Sequence, residues 1–292
     1  ISSSKLTDRY YVNGLLLGYV SPTGELPDFA SRIGTDLWGD GRQRISIDIE
    51  QSIFTPANTT AKPPLSTDRP YAGVLTGTFT LYQDTDFWRS MLGFQVGLVG
   101  PGAGAEELQN SFHSLIGQGK TLGWNYYQIH NEPVVQLFSQ RVWREELGHI
   151  GGVDVDWLPN FSVGVGNLRI YGLTGALVRF GQGLDSDYGP NRIQPWGMTG
   201  GEAYTPTRPF DWYFFAGADG QAVLYDVTLN GNLFQSSPHV SPVWDVGELE
   251  AGVALMVHGV RISYTQVLQT SEFRHQKGGL HQFGSLAASL RF

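Results

Sequence analysis

A two-residue alternation constrains this chain more than any other feature. Ile45-Ser46-Ile47-Asp48-Ile49-Glu50 alternates apolar and polar without a slip. Successive side chains of a strand point to opposite faces, so one face here is apolar and the other charged. Leu75, Phe79 and Leu81 alternate with Thr76, Thr78 and Thr80, and Leu92, Phe94, Val96 and Leu98 with Gly93, Gln95 and Gly97. Farther on, Val223, Tyr225, Val227 and Leu229 oppose Asp226 and Thr228, while Leu249, Ala251, Val253 and Leu255 oppose Glu248, Glu250 and Gly252. Val260, Ile262 and Tyr264 then oppose Arg261, Ser263 and Thr265. Each apolar face needs either a core or lipid.

Alternation alone does not separate a soluble sandwich from a membrane barrel. Two further features do. The segment Leu286-Ala287-Ala288-Ser289-Leu290-Arg291-Phe292 is an alternating strand ending on an aromatic residue, which resembles the last strand of bacterial outer-membrane barrels. Aromatics also gather at strand ends, in Tyr10-Tyr11, Phe87-Trp88, Trp124 with Tyr126-Tyr127, Trp143, and Trp212 to Phe215, where interfacial girdles are expected. No run approaches the ~18 to 20 apolar residues of a spanning helix, so a chain like this crosses a membrane with strands. The expected fold is all-β, a transmembrane antiparallel up-and-down barrel of about 12 strands, with residues 1–292 as one domain and a monomer as the expected state.

Eleven strands are read, near 10–20, 44–54, 72–83, 90–99, 126–143, 155–166, 168–181, 212–229, 247–258, 260–272 and 282–292. Single-chain bacterial barrels usually have an even count with both termini periplasmic. An odd count therefore predicts a first strand upstream of Ile1 or within residues 1–7. With Phe292 periplasmic, residues 1–9, 55–71, 100–125 and 230–246 fall at the extracellular end, with the tips near Asn167 and Arg274 to His281. Residues 21–43, 84–89, 144–154 and 182–211 and the turn at Gly259 fall at the periplasmic end.

The chain has no cysteine, which excludes disulfides, thiolate metal sites and a cysteine nucleophile. A net charge of -8 disfavours a nucleic-acid partner. Against that negative balance, Lys5, Arg9, Lys62, Arg69 and Lys120 all fall in the expected extracellular loops, and an anionic lipid headgroup suits such a cluster. Residues 105–117 predict a short helix in one of these loops. Leu108, Phe112, Leu115 and Ile116 repeat at helical spacing, Glu106 and Glu107 occupy the first turn, and Gly117 follows the end. Its apolar stripe is expected to pack across the barrel mouth, with His113 at the edge of the stripe. A polar run from Gln128 to Glu132 follows, and is expected to turn to the lumen or the rim.

These segments together resemble the outer-membrane lipid A deacylase family, the lipid A 3'-O-deacylases. The resemblance is carried by Thr7-Asp8-Arg9-Tyr10-Tyr11-Val12-Asn13-Gly14 with Leu17-Gly18-Tyr19, and by Asp68-Arg69-Pro70-Tyr71-Ala72-Gly73. Gln109-Asn110, His113, Ile116-Gly117, Gly123-Trp124, Gln128 and Asn131-Glu132-Pro133 complete it. It implies a twelve-stranded barrel in the outer membrane of a Gram-negative bacterium. The implied partner is lipid A in lipopolysaccharide. The implied active site lies between the wall and an extracellular-loop helix, and the implied chemistry is calcium-dependent ester hydrolysis with a histidine as base.

Carried onto this chain, His113 matches the helix histidine. Glu132 joins it as a catalytic candidate, and Trp124 and Gln128 join the loop cations as substrate-binding candidates. Calcium favours hard oxygen ligands, for which Asp8 and Glu132 are the candidates. Two positions depart from the family pattern. An Asn-Asp pair expected near the top of the first strand is absent, and Val12 replaces a hydroxyl residue. The alternatives are an impaired member serving as a structural or lipid-binding barrel, and a small pore whose lumen would carry Asp48, Glu50, Glu248, Glu250 and Arg261.

Overall fold

Strands that are neighbours in sequence are neighbours in space, as the tight turns between alternating segments dictate. The computed structural model describes residues 10–190, 201 and 203–290, except 116 and 118. Its strands are β1 (Tyr10–Val20), β2 (Arg42–Thr55), β3 (Ala72–Asp84), β4 (Trp88–Val99), β5 (Glu132–Trp143) and β6 (Glu145–Ile150), followed by β7 (Val153–Gly166) and β8 (Arg169–Gln182). The remainder are β9 (Phe210–Asp226), β10 (Asp245–Val257), β11 (Val260–Gln269) and β12 (His281–Leu290). All belong to one antiparallel sheet curled into a nearly closed barrel.

Among the described residues eleven strands form the wall, and β6 continues β5 down the edge of β7 past Arg144. The 144–154 turn of the sequence reading is thus mostly hairpin. Both β1 and β12 run from the end where Tyr10 meets Thr55 toward the end where Val260 meets Leu290. At the first of these ends the Tyr10 hydroxyl donates to the Lys277 carbonyl at 2.8 Å and accepts from its N–H at 2.9 Å. The extra strand expected within residues 1–7 lies outside the described residues.

The alternation resolves into two chemically opposite surfaces. Leu15, Leu17, Ile47, Ile49, Val135, Leu137, Leu249 and Leu286 are exposed on the outer face. Asp48, Gln136, Asp156, Arg179, Glu248, Glu250 and Arg261 are buried on the inner one. Water would reward the reverse arrangement, so the outer surface is built for lipid. Trp88, Trp143, Trp157, Phe210 and Trp212 stand at one end of the strands, in the position of a girdle.

The described part of residues 182–211, read from sequence only as a periplasmic connection, folds into the barrel's end. Leu184, Ser186, Asp187, Tyr188, Ala203 and Tyr204 are buried in the barrel's end. Fully buried Arg179 donates to both Asp156 oxygens, at 2.9 and 2.5 Å, and to Asp187 at 2.5 Å. Arg261 and the Tyr213 hydroxyl donate to the other Asp187 oxygen at 3.1 and 2.9 Å. Inward arginines therefore need a counter-charge, and the segment brings Asp187 to supply it. A vestibule of about 820 Å³ remains outside this plug, lined by Arg42, Asp86, Glu146, His149 and Arg208 among others.

Among the described residues three α-helices complete the fold: α1 (Asp28–Trp38), α2 (Ala105–Leu115) and the single turn α3 (Val227–Asn230). The sequence reading missed α1 inside its 21–43 turn, although Phe29, Ile33 and Leu37 carry helical spacing after Pro27. It extended a strand through Val227 and Leu229, where the Asp226 side chain instead caps α3 by accepting from the Thr228 N–H. The strand expected from residue 126 starts at Glu132, because Tyr71 captures the preceding loop. The Tyr71 N–H donates to the Tyr127 carbonyl at 2.9 Å, and the Ile129 N–H to the Tyr71 carbonyl at 3.1 Å.

Candidate active site on the outer wall

The α2 helix is seated on the outside of the barrel, not across its mouth. On β2, Gln51 and Ile53 share the outward parity of exposed Ile47 and Ile49, and on β3 Gly73 faces the same way. Buried Ile53, Tyr71, Ala105 and Trp124 form one cluster with Leu108 beside it. The Gln51 amide donates to the Ala103 carbonyl at 2.5 Å. Gly73 is needed here because a Cβ on it would stand 2.6 Å from Ala105 Cβ and 3.2 Å from Ala103 Cβ.

This seat inverts the face assignment made from sequence. Ala105, Gln109 and His113, four residues apart, form the buried face, whereas Phe112 and Leu115 are 53% and 82% exposed. A helix against a lipid-facing wall gains by turning its apolar residues outward and its polar residues inward. The acidic first turn and Gly117 at φ 72° are as expected.

The buried face holds a continuous polar network. Gln109 Oε1 accepts from Trp124 Nε1 at 2.9 Å and from Thr121 Oγ1 at 3.3 Å. Asn110 Oδ1 accepts from the Thr121 N–H at 2.9 Å and its hydroxyl at 3.0 Å. The Trp124 ring packs on Tyr71 at a centroid distance of 4.6 Å. His113 Nδ1 lies 2.9 Å from the Gly119 carbonyl. A carbonyl only accepts, so Nδ1 carries the proton and a neutral His113 has its basic lone pair on Nε2. Motif residues scattered from Tyr71 to Trp124 thus meet under the helix face that His113 shares.

Other expected site residues go elsewhere, and three expectations are corrected. Arg69 is fully buried on the inner side, where it donates to Glu272 at 3.0 Å and Thr228 at 2.9 Å with its guanidinium 4.6 Å over Phe54. It ties loops together and cannot meet a headgroup. Glu132 shares the inward parity of buried Gln136 and Gln140. Its carboxylate accepts from the Leu233 and Phe234 N–H groups at 3.2 and 3.0 Å and from the Asn167 amide at 3.3 Å. The wall therefore stands between Glu132 and the outer seat of α2. Trp124 is 1% exposed and supports the site floor through Gln109 and Tyr71 rather than offering a surface to substrate.

Lys62 and Lys120 remain exposed, with the Lys62 ammonium 5.0 Å from the Tyr126 ring centroid. Gln128 is half-buried. Lys5, Asp8 and Arg9 and the Val12 side chain lie outside the described residues. The oxygens on the buried face of α2 are amide, hydroxyl and carbonyl groups already bonded to one another. Among the described residues no three His, Asp or Glu side chains gather. Calcium takes six or more oxygens and usually several carboxylates, so the described residues do not fit it.

A family model described as "Outer membrane protein LpxR" matches residues 1–292. The chain belongs to the LpxR family. Among solved structures, LpxR from Salmonella typhimurium superposes with a TM-score of 0.77 at 26% identity, over 98% of this chain and 90% of that one. No curated protein matches the sequence. The outer-membrane barrel read from alternation is therefore an LpxR-family barrel.

In this family member, Gly73 gives a clean test of the seat. Gly73→Ala is expected to displace α2 and to cost about 1–3 kcal/mol through overpacking. Gly77→Ala, four residues along the strand on the same outward face, meets nothing closer than 4.0 Å and serves as the control. Protease cleavage within residues 104–120 is expected to accelerate in the first variant and not in the second. Equal cleavage would contradict the seat.

Proposed function

We propose that this barrel is a lipid A deacylase, an esterase that removes an ester-linked acyl chain from lipopolysaccharide, with His113 as general base and the α2 end extracellular. The observation that carries the reading is the inverted helix: a histidine on its buried face, held at the Gly119 carbonyl and bordered by exposed Phe112 and Leu115. An acyl ester lies where headgroup meets hydrocarbon. A site on the outer wall lets the acyl chains stay in lipid while the ester approaches sideways.

His113 Nε2 takes the proton of a water whose oxygen attacks the ester carbonyl carbon. The carbon–oxygen bond to the sugar then breaks, the departing oxygen receives the proton, and the chain leaves as a fatty acid. The Gly119 carbonyl fixes the ring and its tautomer, the role an orienting partner plays for any histidine base. Exposed Lys62 and Lys120 supply positive charge for the lipid A phosphates.

If calcium binds, Asp8 is its candidate ligand and its contribution would be Lewis-acid polarisation of the ester carbonyl; the described residues do not by themselves complete a site for it. The steps above are carried by protein groups alone. Chelation is expected to stop acyl release and added calcium to restore it; release that ignores the chelator would remove calcium from the reading. The activity itself is tested by incubating purified protein in detergent with lipopolysaccharide and calcium. Fatty acid release is the expected result, and its absence at every calcium concentration would leave the chain as a binding barrel.

A further inference from the structure

Two helices sit on the outer wall, one at each end of the same apolar row. The outward residues of β2 between them are Gln43, Ile45, Ile47, Ile49 and Gln51. Gln51 is met by the turn leading into α2. Gln43 is met by α1: its amide donates to the Ser31 carbonyl at 3.3 Å, to Thr35 Oγ1 at 3.2 Å and to Gln83 Oε1 at 2.7 Å. The Gln83 amide in turn donates to the Gly39 carbonyl at 2.9 Å. Eight residues at about 3.3 Å each, tilted by about 40°, span roughly 20 Å, close to the ~25 Å apolar band of outer-membrane barrels. The two glutamines therefore mark the edges of the lipid-facing band.

Like α2, α1 turns the wrong residues outward for water. Its buried positions are Ala30 and Gly34, and a Cβ on Gly34 would stand 2.7 Å from Gln43 Nε2. Phe29, Ile33 and Leu37 form one stripe at four-residue spacing and are 62%, 42% and 56% exposed. Exposed Arg32 and Asp36 lie one residue before the second and third of these, a rotation of about 100°. Phe87, in the neighbouring β3–β4 turn, is also exposed. The stripe is continuous with a wall surface that already faces hydrocarbon.

We propose that α1 is an in-plane membrane anchor, seated on the barrel through Gln43 and Gln83, with Phe29, Ile33 and Leu37 inserted in phospholipid at the headgroup and acyl boundary of the leaflet opposite α2. An apolar stripe flanked by charge is the pattern of an interfacial helix. Its occupant is bilayer phospholipid, because the band edge at Gln43 places the helix at that depth. Together the two helices fix the height of this wall sector, and with it the depth of α2. The inference rests on membrane insertion of the barrel and is independent of the deacylase reading.

The absence of cysteine makes the test direct. Ile33→Cys and Arg32→Cys are each labelled with a nitroxide, and folding is checked by the heat-dependent gel shift of intact barrels. Both are placed in phosphatidylethanolamine and phosphatidylglycerol nanodiscs, and collisions with oxygen and with a water-soluble nickel chelate are compared by electron paramagnetic resonance. A several-fold higher oxygen-to-nickel ratio at position 33 than at position 32 is expected. High nickel access at both positions would place the helix in water. Protection of position 33 from both reagents would place it against protein, and either result overturns the anchor.

Discussion

Replacing His113 with alanine is expected to slow acyl release from lipopolysaccharide by about 10²- to 10⁴-fold, the range a positioned general base contributes. Stability should scarcely change. The loss includes the bond between Nδ1 and the Gly119 carbonyl, and a neutral bond of this kind is worth about 1 kcal/mol net. His113→Asn sharpens the experiment, because its amide can still donate toward Gly119 while offering no base. Both variants are expected to be inactive in the fatty-acid assay while keeping the heat-dependent gel shift of the intact barrel. An active His113→Asn protein would show that the residue only holds the Gly119 carbonyl, and the proposed mechanism would fail.

Replacing Asp187 with alanine carries the second large effect, this time on the barrel. Burial alone would raise the pKa of this carboxyl, but Arg179 and Arg261 more than offset it and hold it below the ordinary carboxylate value. Removal leaves both guanidinium groups short of an anion, and breaking a buried pair in this way costs about 3–5 kcal/mol. The variant is expected to lose its gel shift at a lower temperature than the parent. It should also show conductance in planar bilayers where the parent stays silent, as residues 184–188 lose their hold. Acid is expected to act in the same direction. A depressed carboxylate stabilises the fold fully above its unfolded pKa of about 4, and that contribution fades as pH falls through the lower folded value. If Asp187→Ala kept the parent's melting temperature and silence, the plug would be held by something else.

Sequence alone carried the barrel a long way. Period-two alternation runs through most of the wall, interrupted by register shifts at Tyr11/Asn13 and Ile170/Tyr171, because each residue must face either lipid or a filled lumen and a one-residue slip would invert both surfaces. The β2 run from Ile45 to Glu50 shows this residue by residue. The short helix before Gly117 was legible for the same kind of reason, since its spacing and first-turn charges are local properties. The motif residues around His113 were also in view, although Tyr71, Gln109 and Trp124 are up to 53 positions apart.

The remainder was decided by which side of the wall each residue reached. Glu132 and His113 both looked like site residues, but strand parity turns Glu132 inward while Gly73 lets α2 dock outside. Arg69 read as a surface cation until Glu272, 203 residues away, drew it into the lumen. The plug was illegible because Asp187 acquires its meaning only beside Arg179 and Arg261 from other strands. Alternation fixed that there would be an apolar and a polar surface. Only closure of the wall decided which helix face meets lipid, because in a membrane barrel the outside is the apolar solvent and each amphipathic helix docked there must turn its polar face in.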